Sequence, residues 1–400
     1  MQKLSQFVLN IDESATLAAG QRAKELVREG RDIIDLTVGQ PDFFTPDSIS
    51  EAAIAAIEKG KSSFYTATSG IPELKEAIQT FWQKNYGYPI LPKEILVTAG
   101  AKFALYAFFQ SVLDAGDEVI IPAPYWVSYV DQVKMAGGVP VIVTTHKETD
   151  YKMGLSDLEA ALTKQTKVIL INNPSNPTGT LYTKEELQVI GAFAFKHDLL
   201  ILADEIYHRL VYNAATWTPV SQLGMRVRER TVIINGVSKT YSMTGWRIGV
   251  AVGDPEIIAA MAKIASQTTS NPTAVAQYAA VEAFSGNEAT EKAVETMRAA
   301  FEERLNTIYP LLADIPGFEI KKPDGAFYLF PRVLGAMELT GYNFVADFAA
   351  ALLEEAGVAV VSGDAFGSPE NIRLSYAASL DSLIEAVSRI KKFVEGKMKK

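Results

Sequence analysis

A lysine and an arginine in one short segment, Lys239 and Arg247, are the residues of this chain best suited to covalent chemistry. Lys239 follows the apolar run 231–234, which is typical of a buried strand, so its amine is expected beside a cleft at the strand end. An amine placed there can act as a covalent nucleophile, and a fixed cation nearby can hold a phosphate. The pair indicates a Schiff base with a phosphorylated aldehyde cofactor, against the alternative of a surface lysine near a turn.

A carboxylate follows another apolar run. Asp204 comes directly after residues 199–203, at the C-terminal edge of a predicted strand, where open α/β sheets bind ligands. A buried carboxylate needs a cationic or hydrogen-bonded partner, and a protonated pyridine nitrogen would serve and would keep that ring an electron sink. Tyr207 could then hydrogen-bond a phenolic oxygen on the ring. The structural alternative is a helix-capping aspartate next to a core tyrosine.

Two loops could complete a site at the same sheet edge. The loop 172–179 follows a predicted strand and holds two X-Pro steps and a glycine, which places the amide of Asn176 near a phenolic oxygen or a carboxylate. The turn 98–102 joins a strand to a helix through small residues, so the N–H groups of Ala101 and Lys102 can bind an anion. The glycine-rich G-x-G-x-x-G nucleotide pattern is absent from the strand-to-helix turns.

Two further side chains suit a planar, anionic ligand. Trp126 lies just past the strand that ends at residue 121, where it could stack on a ring, although a tryptophan more often packs in a core. Arg373 alternates with apolar neighbours on a predicted strand. A cation on such a half-buried strand usually has an anionic partner, and its planar fork suits a carboxylate.

Apolar runs of strand length, alternating with helical patterns, must position these residues. Their hydrophobicity is continuous, which predicts strands buried on both faces, as in a mostly parallel sheet with helices on each side. The expected fold class is α/β, with a large three-layer domain. The predicted strands are 95–98, 118–121, 139–143, 167–171, 199–203, 231–234 and 248–252, with helices at 102–113, 127–135 and 183–197.

After about residue 285 the pattern changes to a smaller α+β unit. A helix predicted at 15–29 is expected to pack with this unit. We therefore expect a large domain at 46–285 and a small domain made of 1–45 and 286–400. The elements predicted for the C-terminal part are helices at 288–309, 343–356 and 380–394 and strands at 318–321, 325–330, 358–361 and 371–375.

Composition excludes several classes of site and partner. The 400 residues carry a net charge of −9 and no block of basic residues, so nucleic acid is not an expected partner. With no cysteine and three scattered histidines, we expect neither disulfides nor a metal site. No apolar stretch is long enough to span a bilayer, and the N-terminus does not resemble a secretion signal, so we expect a cytoplasmic protein without a membrane partner.

Four motifs occur in order along the chain: Asn176-Pro177-Thr178-Gly179, Asp204-Glu205-Ile206-Tyr207, Ser238-Lys239 with Met243-Thr244-Gly245-Trp246-Arg247, and Arg373-Leu374-Ser375-Tyr376. Together they resemble class I pyridoxal-phosphate aminotransferases, and the likeness spans nearly the whole chain. The resemblance implies fold type I, with pyridoxal 5′-phosphate as cofactor and a small domain that closes over the substrate. It also implies a homodimer with the site shared at the subunit boundary.

The resemblance assigns roles to individual residues. Lys239 resembles the lysine that carries the cofactor and later moves the proton, and Asp204 resembles the partner of the pyridine nitrogen. Asn176 and Tyr207 match the phenolic-oxygen partners, and Trp126 matches the aromatic that stacks on the ring. The phosphate site is matched by Ala101, Lys102, Ser238 and Arg247, together with Tyr65 reaching across from the neighbouring subunit.

The substrate side of the site carries one departure. Arg373, with Asn176 and the backbone at Gly39, matches the holder of the α-carboxylate. The best-known aspartate aminotransferases read the distal carboxylate with an arginine that is missing from residues 266–272. A bacterial subgroup that this chain resembles more closely uses a lysine and a serine, for which Lys102 and Ser14 stand at the matching places.

The sequence thus predicts an aminotransferase that moves an amino group from aspartate to 2-oxoglutarate by a ping-pong cycle. The near alternative is an aromatic or broad-specificity aminotransferase, because aromatic side chains can share a dicarboxylate site. A β-lyase on the same fold is a further alternative. From other classes come a cofactor-binding regulator without turnover, which would need an added DNA-binding domain, and a binding protein without a cofactor.

Overall fold

The computed structural model describes residues 3–9, 11, 13 and 15–398. Its α-helices are α1 (Gln6–Leu9), α2 (Ala15–Arg28), α3 (Asp47–Glu58), α4 (Pro72–Tyr86), α5 (Ala101–Val112), α6 (Ser128–Met135), α7 (Leu155–Ala161), α8 (Lys184–Lys196), α9 (Met225–Arg228), α10 (Pro255–Thr268), α11 (Ala274–Phe284), α12 (Glu288–Ala313), α13 (Leu334–Thr340), α14 (Val345–Ala356) and α15 (Leu380–Lys397). Its strands are β1 (Ile34–Asp35), β2 (Ile95–Thr98), β3 (Glu118–Ala123), β4 (Val139–Thr144), β5 (Thr166–Asn172), β6 (Leu200–Asp204), β7 (Thr231–Gly236), β8 (Gly249–Val252), β9 (Tyr328–Leu329), β10 (Val358–Ala359), β11 (Val361–Ser362) and β12 (Ile372–Ser375).

The central sheet confirms the predicted α/β fold. Within the described residues, seven strands pair in the order β2-β8-β7-β6-β5-β3-β4, and every pair is parallel except the two that β8 makes. All seven strands predicted in this part of the chain are present. The parallel register sets Asn172 opposite Asp204 and Asp204 opposite Ile234, so the C-terminal ends of three strands meet at one edge.

Helices cover both faces of this sheet, as three layers require. On one face, residues of α5, α6 and α10 pack against the strands, among them Phe108, Val133 and Met261. On the other face, α4, α8 and α11 contribute to a second core. The expectation that the strands are buried on both faces is wrong for β4. Val139 and Ile142 of β4 are exposed, because β4 is an edge strand where the covering helices end.

The C-terminal part forms a smaller unit with fewer strand residues than expected. Strands β11, β12 and β9 form an antiparallel sheet, packed with α12, α14 and α15 in a separate core. The strand predicted at 318–321 is reduced to a single bridge between Glu319 and Arg332. The strand predicted at 325–330 is reduced to β9, because Gly325 and Ala326 donate their N–H groups to loop carbonyls of the large sheet unit, at Gly179 and Leu210.

The N-terminal segment packs against this smaller unit. Strand β1 pairs in parallel with β10, and Ala23 and Leu26 of α2 share a small core with Leu353 and Ala359. These contacts agree with the expected packing of helix 15–29, whereas the boundaries at 45/46 and 285/286 stay a prediction. Along the described residues, none of the helices combines the length and the apolar character needed to cross a membrane.

Candidate active site

A cleft of about 950 Å³ opens at the C-terminal edge of the central sheet, where the smaller unit faces it. Each strand that ends there delivers a polar group: β6 ends in Asp204, the loop after β5 holds Asn176, and the segment after β7 holds Lys239. Arg373 reaches the same cleft from β12. Residues far apart in the sequence are thus brought together, as the strand ends predicted.

Asp204 is a buried carboxylate that accepts two hydrogen bonds. Its side chain is held by the Tyr129 hydroxyl, which donates to Oδ2 at 2.7 Å, and by the Ile206 N–H, which donates to Oδ1 at 3.2 Å. Burial raises the pKa of Asp204 to about 6, against the lowering effect of these donors and of the Lys239 charge. Tyr129 lies in a helix that the sequence predicted, but nothing in its spacing distinguished it from a core residue.

Lys239 presents a partly buried amine that donates to the Gly39 carbonyl oxygen. Burial, together with the nearby guanidinium groups of Arg373 and Arg247, lowers the pKa of this amine to about 7, while the Asp204 charge acts in the opposite direction. The amine is therefore neutral in a large fraction of molecules near pH 7, which is the form that attacks a carbonyl carbon.

Arg247 and the start of α5 form a site for an anion. Gly100 adopts φ +85° just before the helix, and a Cβ there would lie 2.1 Å from Arg247 Nη2, so only glycine lets the guanidinium approach the helix N-terminus. Gly249 gives the same freedom on the other side, since its Cβ would lie 2.4 Å from the Ala101 nitrogen. The first N–H groups of α5 have no acceptor within the helix, so they and Arg247 suit a phosphate.

Arg373 is fully enclosed and lacks an acidic partner among the described side chains. Its Nη1 donates to Asn176 Oδ1 at 3.0 Å, and its Nη2 donates to the Thr37 carbonyl oxygen at 2.8 Å. The guanidinium lies 4.4 Å from the centre of the Tyr328 ring. A buried guanidinium held by neutral acceptors alone is suited to pair with a carboxylate that enters from the cleft.

A chain of hydrogen bonds fixes Asn176 and links it to Asp204. The Asn176 N–H donates to Asn172 Oδ1 at 2.7 Å, and Asn172 Nδ2 donates to the Asp204 carbonyl oxygen at 3.0 Å. Tyr207 and Tyr328 share a hydrogen bond between their hydroxyl groups at 2.9 Å. Tyr328 and the Thr37 carbonyl were not identified from the sequence, although both contact predicted site residues.

Lys102 and Trp126 form one wall of the cleft. The Lys102 amine lies 4.9 Å from the centre of the Trp126 ring, a cation–π contact. Burial, and then the charge of Arg247, lowers the pKa of Lys102. Gly39, Ala101 and Ser238 line the same cleft, so these predicted residues are all placed at the site.

Two predicted residues are not placed at the cleft. Tyr65 is 92% exposed and does not line it, so its assignment to the neighbouring subunit's cofactor stays a prediction. Ser14 lies outside the residues that the structure describes.

The residues present fit pyridoxal 5′-phosphate. The cleft combines an amine that is partly neutral near pH 7, an anion site whose space depends on Gly100, and a buried carboxylate on the sheet edge. A protonated pyridine nitrogen would give Asp204 the cationic partner that a buried carboxylate needs. Trp126 offers a ring face beside them.

Comparison with known proteins identifies the family of this chain. The sequence matches the family described as aminotransferase class I and II over residues 31–390. It is 58% identical over 395 residues to an asparagine–oxo-acid transaminase of Streptococcus mutans (99% of this chain and 100% of that protein) and 51% identical over 393 residues to an aspartate aminotransferase of Bacillus subtilis (98% and 99%). The structure of the Thermus thermophilus aspartate aminotransferase with maleate is similar, with a TM-score of 0.93 at 39% identity, covering 98% of this chain and all of that one. The chain therefore belongs to the class I and II aminotransferases, enzymes that use pyridoxal 5′-phosphate to transfer amino groups between amino acids and 2-oxoacids.

Proposed function

We propose that this enzyme is an aspartate:2-oxoglutarate aminotransferase. The observation that carries the proposal is a buried arginine, Arg373, and a second cation, Lys102, in the cleft that also holds Lys239. Two cations in one substrate cleft suit a substrate with two carboxylates. The aspartate aminotransferases among the similar proteins support this substrate class.

Asp204 and Lys239 divide the chemistry between them. When bound, pyridoxal phosphate supplies the carbonyl carbon that takes up the amino group and the ring that accepts electrons from the substrate's α-carbon. Asp204, held by Tyr129, would supply the negative charge that keeps the ring nitrogen protonated. The Lys239 amine, in its neutral form, would take the proton from the substrate's α-carbon and later return a proton.

The remaining side chains bind and orient. Arg247 and the N–H groups of Ala101 and Lys102 hold the phosphate, and Ser238 adds a hydroxyl beside them. Trp126 would offer the face on which the ring stacks, and Tyr207 and Asn176 would donate hydrogen bonds to its phenolic oxygen.

The substrate is held at both of its carboxylates. Arg373 holds the α-carboxylate, assisted by Asn176 and the backbone of Gly39. Lys102 reads the distal carboxylate from the helix start, together with Ser14.

The working unit is proposed to be a homodimer in which Tyr65 completes the neighbouring subunit's phosphate site. The exposure of Phe64 and Tyr65, at 78% and 92%, supports this, because large exposed aromatic neighbours are typical of an interface. Residues 46–285 form the proposed large domain, and 1–45 with 286–400 the small one. A cytoplasmic location is also part of the proposal, and cell fractionation would test it.

A second amino donor, asparagine, is favoured by the 58% identical transaminase. A substrate panel decides between the candidates: purified holoenzyme is assayed with aspartate, asparagine, phenylalanine and alanine, with 2-oxoglutarate as acceptor. A clear preference in kcat/KM for aspartate supports the proposal. A preference for asparagine or phenylalanine would replace it with an asparagine or an aromatic specificity.

The covalent assignment has its own test. Borohydride reduction of the holoenzyme, followed by peptide mapping, should place the cofactor on Lys239. A label on another lysine, or none, refutes that assignment whatever the substrate.

A further inference from the structure

Two cations on α2 line the cleft without any role in the chemistry described above. Lys24 and Arg28 stand four residues apart on one face of the helix, and both are exposed. Within the described part of the chain, neither side chain takes part in an ion pair or a hydrogen bond. Their charge is therefore left for whatever enters the cleft.

The other cations near this helix are neutralised. Arg22 pairs with Glu25 and with Glu354 of α14, at 3.5 and 2.9 Å, and Arg31 pairs with Glu354 at 2.5 Å. These pairs hold α2 against the smaller unit. On α2 itself, Arg22 is thus paired towards α14, whereas, among the described residues, Lys24 and Arg28 are left unpaired at the cleft.

The face of α2 that carries Lys24 and Arg28 extends from the proposed α-carboxylate site at Arg373 to the rim of the cleft. Gly20, one turn before Lys24, packs so closely on Thr37 that a Cβ would lie 3.1 Å from the Thr37 hydroxyl. The Thr37 carbonyl oxygen accepts from Arg373. Positions 20, 24 and 28 therefore follow one line along the helix, from the support of Arg373 to the exposed rim of the cleft.

The charge of the cleft is opposite to that of the chain. The protein carries a formal charge of −9, yet six cationic and only two acidic side chains line the cleft. The acidic ones are Asp35, whose Oδ1 accepts from the Thr37 N–H and hydroxyl, and the buried Asp204. A concave site with one sign of charge raises the local concentration of oppositely charged ligands, and salt screens this effect within about 8 Å at physiological ionic strength.

We propose that Lys24 and Arg28 form a cationic rim that favours substrates in proportion to their net negative charge. The inference rests on the proposed dicarboxylate specificity and extends it to residues outside the bound substrate's contacts. It predicts the strongest dependence for 2-oxoglutarate, with charge −2, a weaker one for aspartate and pyruvate, with charge −1, and none for neutral alanine or asparagine.

The test compares Lys24→Gln/Arg28→Gln with a control of equal charge change, Lys164→Gln/Lys184→Gln, at two exposed lysines that do not line the cleft. At low salt, kcat/KM for 2-oxoglutarate should fall roughly three- to tenfold in the rim variant, with kcat unchanged. The loss in kcat/KM should be smaller for pyruvate. For both acceptors it should shrink in about 0.5 M salt, because salt at that concentration screens most of the interaction between exposed charges. Equal losses for all acceptors, a loss without salt dependence, or the same loss in the control would overturn the proposal.

Binding of succinate, measured by calorimetry on the holoenzyme, separates this inference from the proposed function. A rim variant that binds succinate more weakly at low salt, but not at high salt, supports the rim even if the unmodified enzyme prefers neutral amino acids. Unchanged succinate affinity refutes the rim even if aspartate proves to be the substrate.

Discussion

The Tyr129 hydroxyl donates a 2.7 Å hydrogen bond to Asp204 Oδ2, so the carboxylate that we assign to the ring nitrogen is itself held by a tyrosine from α6. Both residues are buried, and the donor lowers the pKa of Asp204 against the effect of burial. The hydroxyl therefore helps to keep Asp204 ionised in a place that disfavours charge.

Replacing Tyr129 with phenylalanine should raise the pKa of Asp204, because the carboxylate loses a donor. The acid limb of the kcat/KM profile should then move to higher pH, by roughly half to one pH unit, with a reduced plateau. Tyr106→Phe, the same change on neighbouring α5, serves as control. An unchanged acid limb in Tyr129→Phe would show that the hydroxyl does not tune Asp204.

The low pKa of Lys239 can be measured directly in the cofactor-free protein. Acylating reagents attack neutral amines, so labelling of Lys239, followed by mass spectrometry, should rise with pH around a midpoint near 7. Lys239→Arg serves as the control and should lose the labelled peptide. Asp204→Asn should lower the Lys239 midpoint further, since Asp204 opposes the shift. A Lys239 midpoint near the ordinary lysine value of 10.5 would contradict the burial argument.

Arg373→Lys should weaken substrate binding more than it slows turnover. Lysine keeps the charge but loses the planar fork that donates to Asn176 and Thr37, so KM should rise about 10- to 100-fold for every amino acid. Arg389→Lys, at a half-buried arginine of α15 that does not line the cleft, is the matched control. If KM stays near its original value in a folded Arg373→Lys variant, the α-carboxylate is held elsewhere.

Lys102→Ala should affect substrates unequally. Its amine borders the cleft over Trp126, so its removal should lower kcat/KM for aspartate by at least about tenfold and leave alanine and phenylalanine nearly unchanged. Lys134→Ala, a change of the same type on α6, controls for lost charge. Equal losses for the three amino acids would mean that Lys102 acts on the cofactor and not on the distal carboxylate.

Glu205 predicts a pH-dependent stability. It is fully buried, its Oε1 accepts from the Val220 N–H at 3.0 Å, and burial raises its pKa to about 8 from the ordinary 4.5. Since the folded pKa is the higher one, the stability that protonation provides is complete below pH 4.5 and is lost as pH rises through 8.

Glu205→Gln keeps the shape of this side chain without its charge. Between about pH 5 and 8, the variant should become more stable relative to the original protein, by a difference on the order of a few kcal/mol in the free energy of unfolding. Melting temperatures of the two proteins, measured across this pH range, should diverge accordingly. Glu185→Gln, at an exposed position of α8, is the control. A constant difference across this range would show that Glu205 does not titrate there.

The sheet and the residues at its edge could be predicted because their signal is local. Each buried strand is a continuous apolar run, and the polar residue that follows, such as Asp204 or Lys239, is fixed by the strand end. The prediction of a strand at 318–321 was wrong because the contacts of this segment are not local. Its apolar Phe318 packs on Phe348 of α14, and the segment pairs with its neighbour through a single bridge.

The supporting residues could not be predicted, because their partners lie far away in sequence. The sequence around Tyr129 is typical of a core tyrosine, and only the fold shows that its hydroxyl contacts Asp204. Thr37 contributes a backbone carbonyl, which leaves no trace in side-chain patterns. Tyr328 lies in a strand of two residues, and its contact with Tyr207 depends on how the smaller unit meets the sheet.

Arg373 lies on β12 near the end of the chain, yet it is anchored by Thr37 near the beginning and by Asn176 in the middle. A single ligand carboxylate at this arginine would consequently tie together three distant stretches of polypeptide. Truncation from either terminus should therefore abolish amino-acid recognition even where the seven-stranded layer survives intact, and a bound acid should protect both termini from proteases at once.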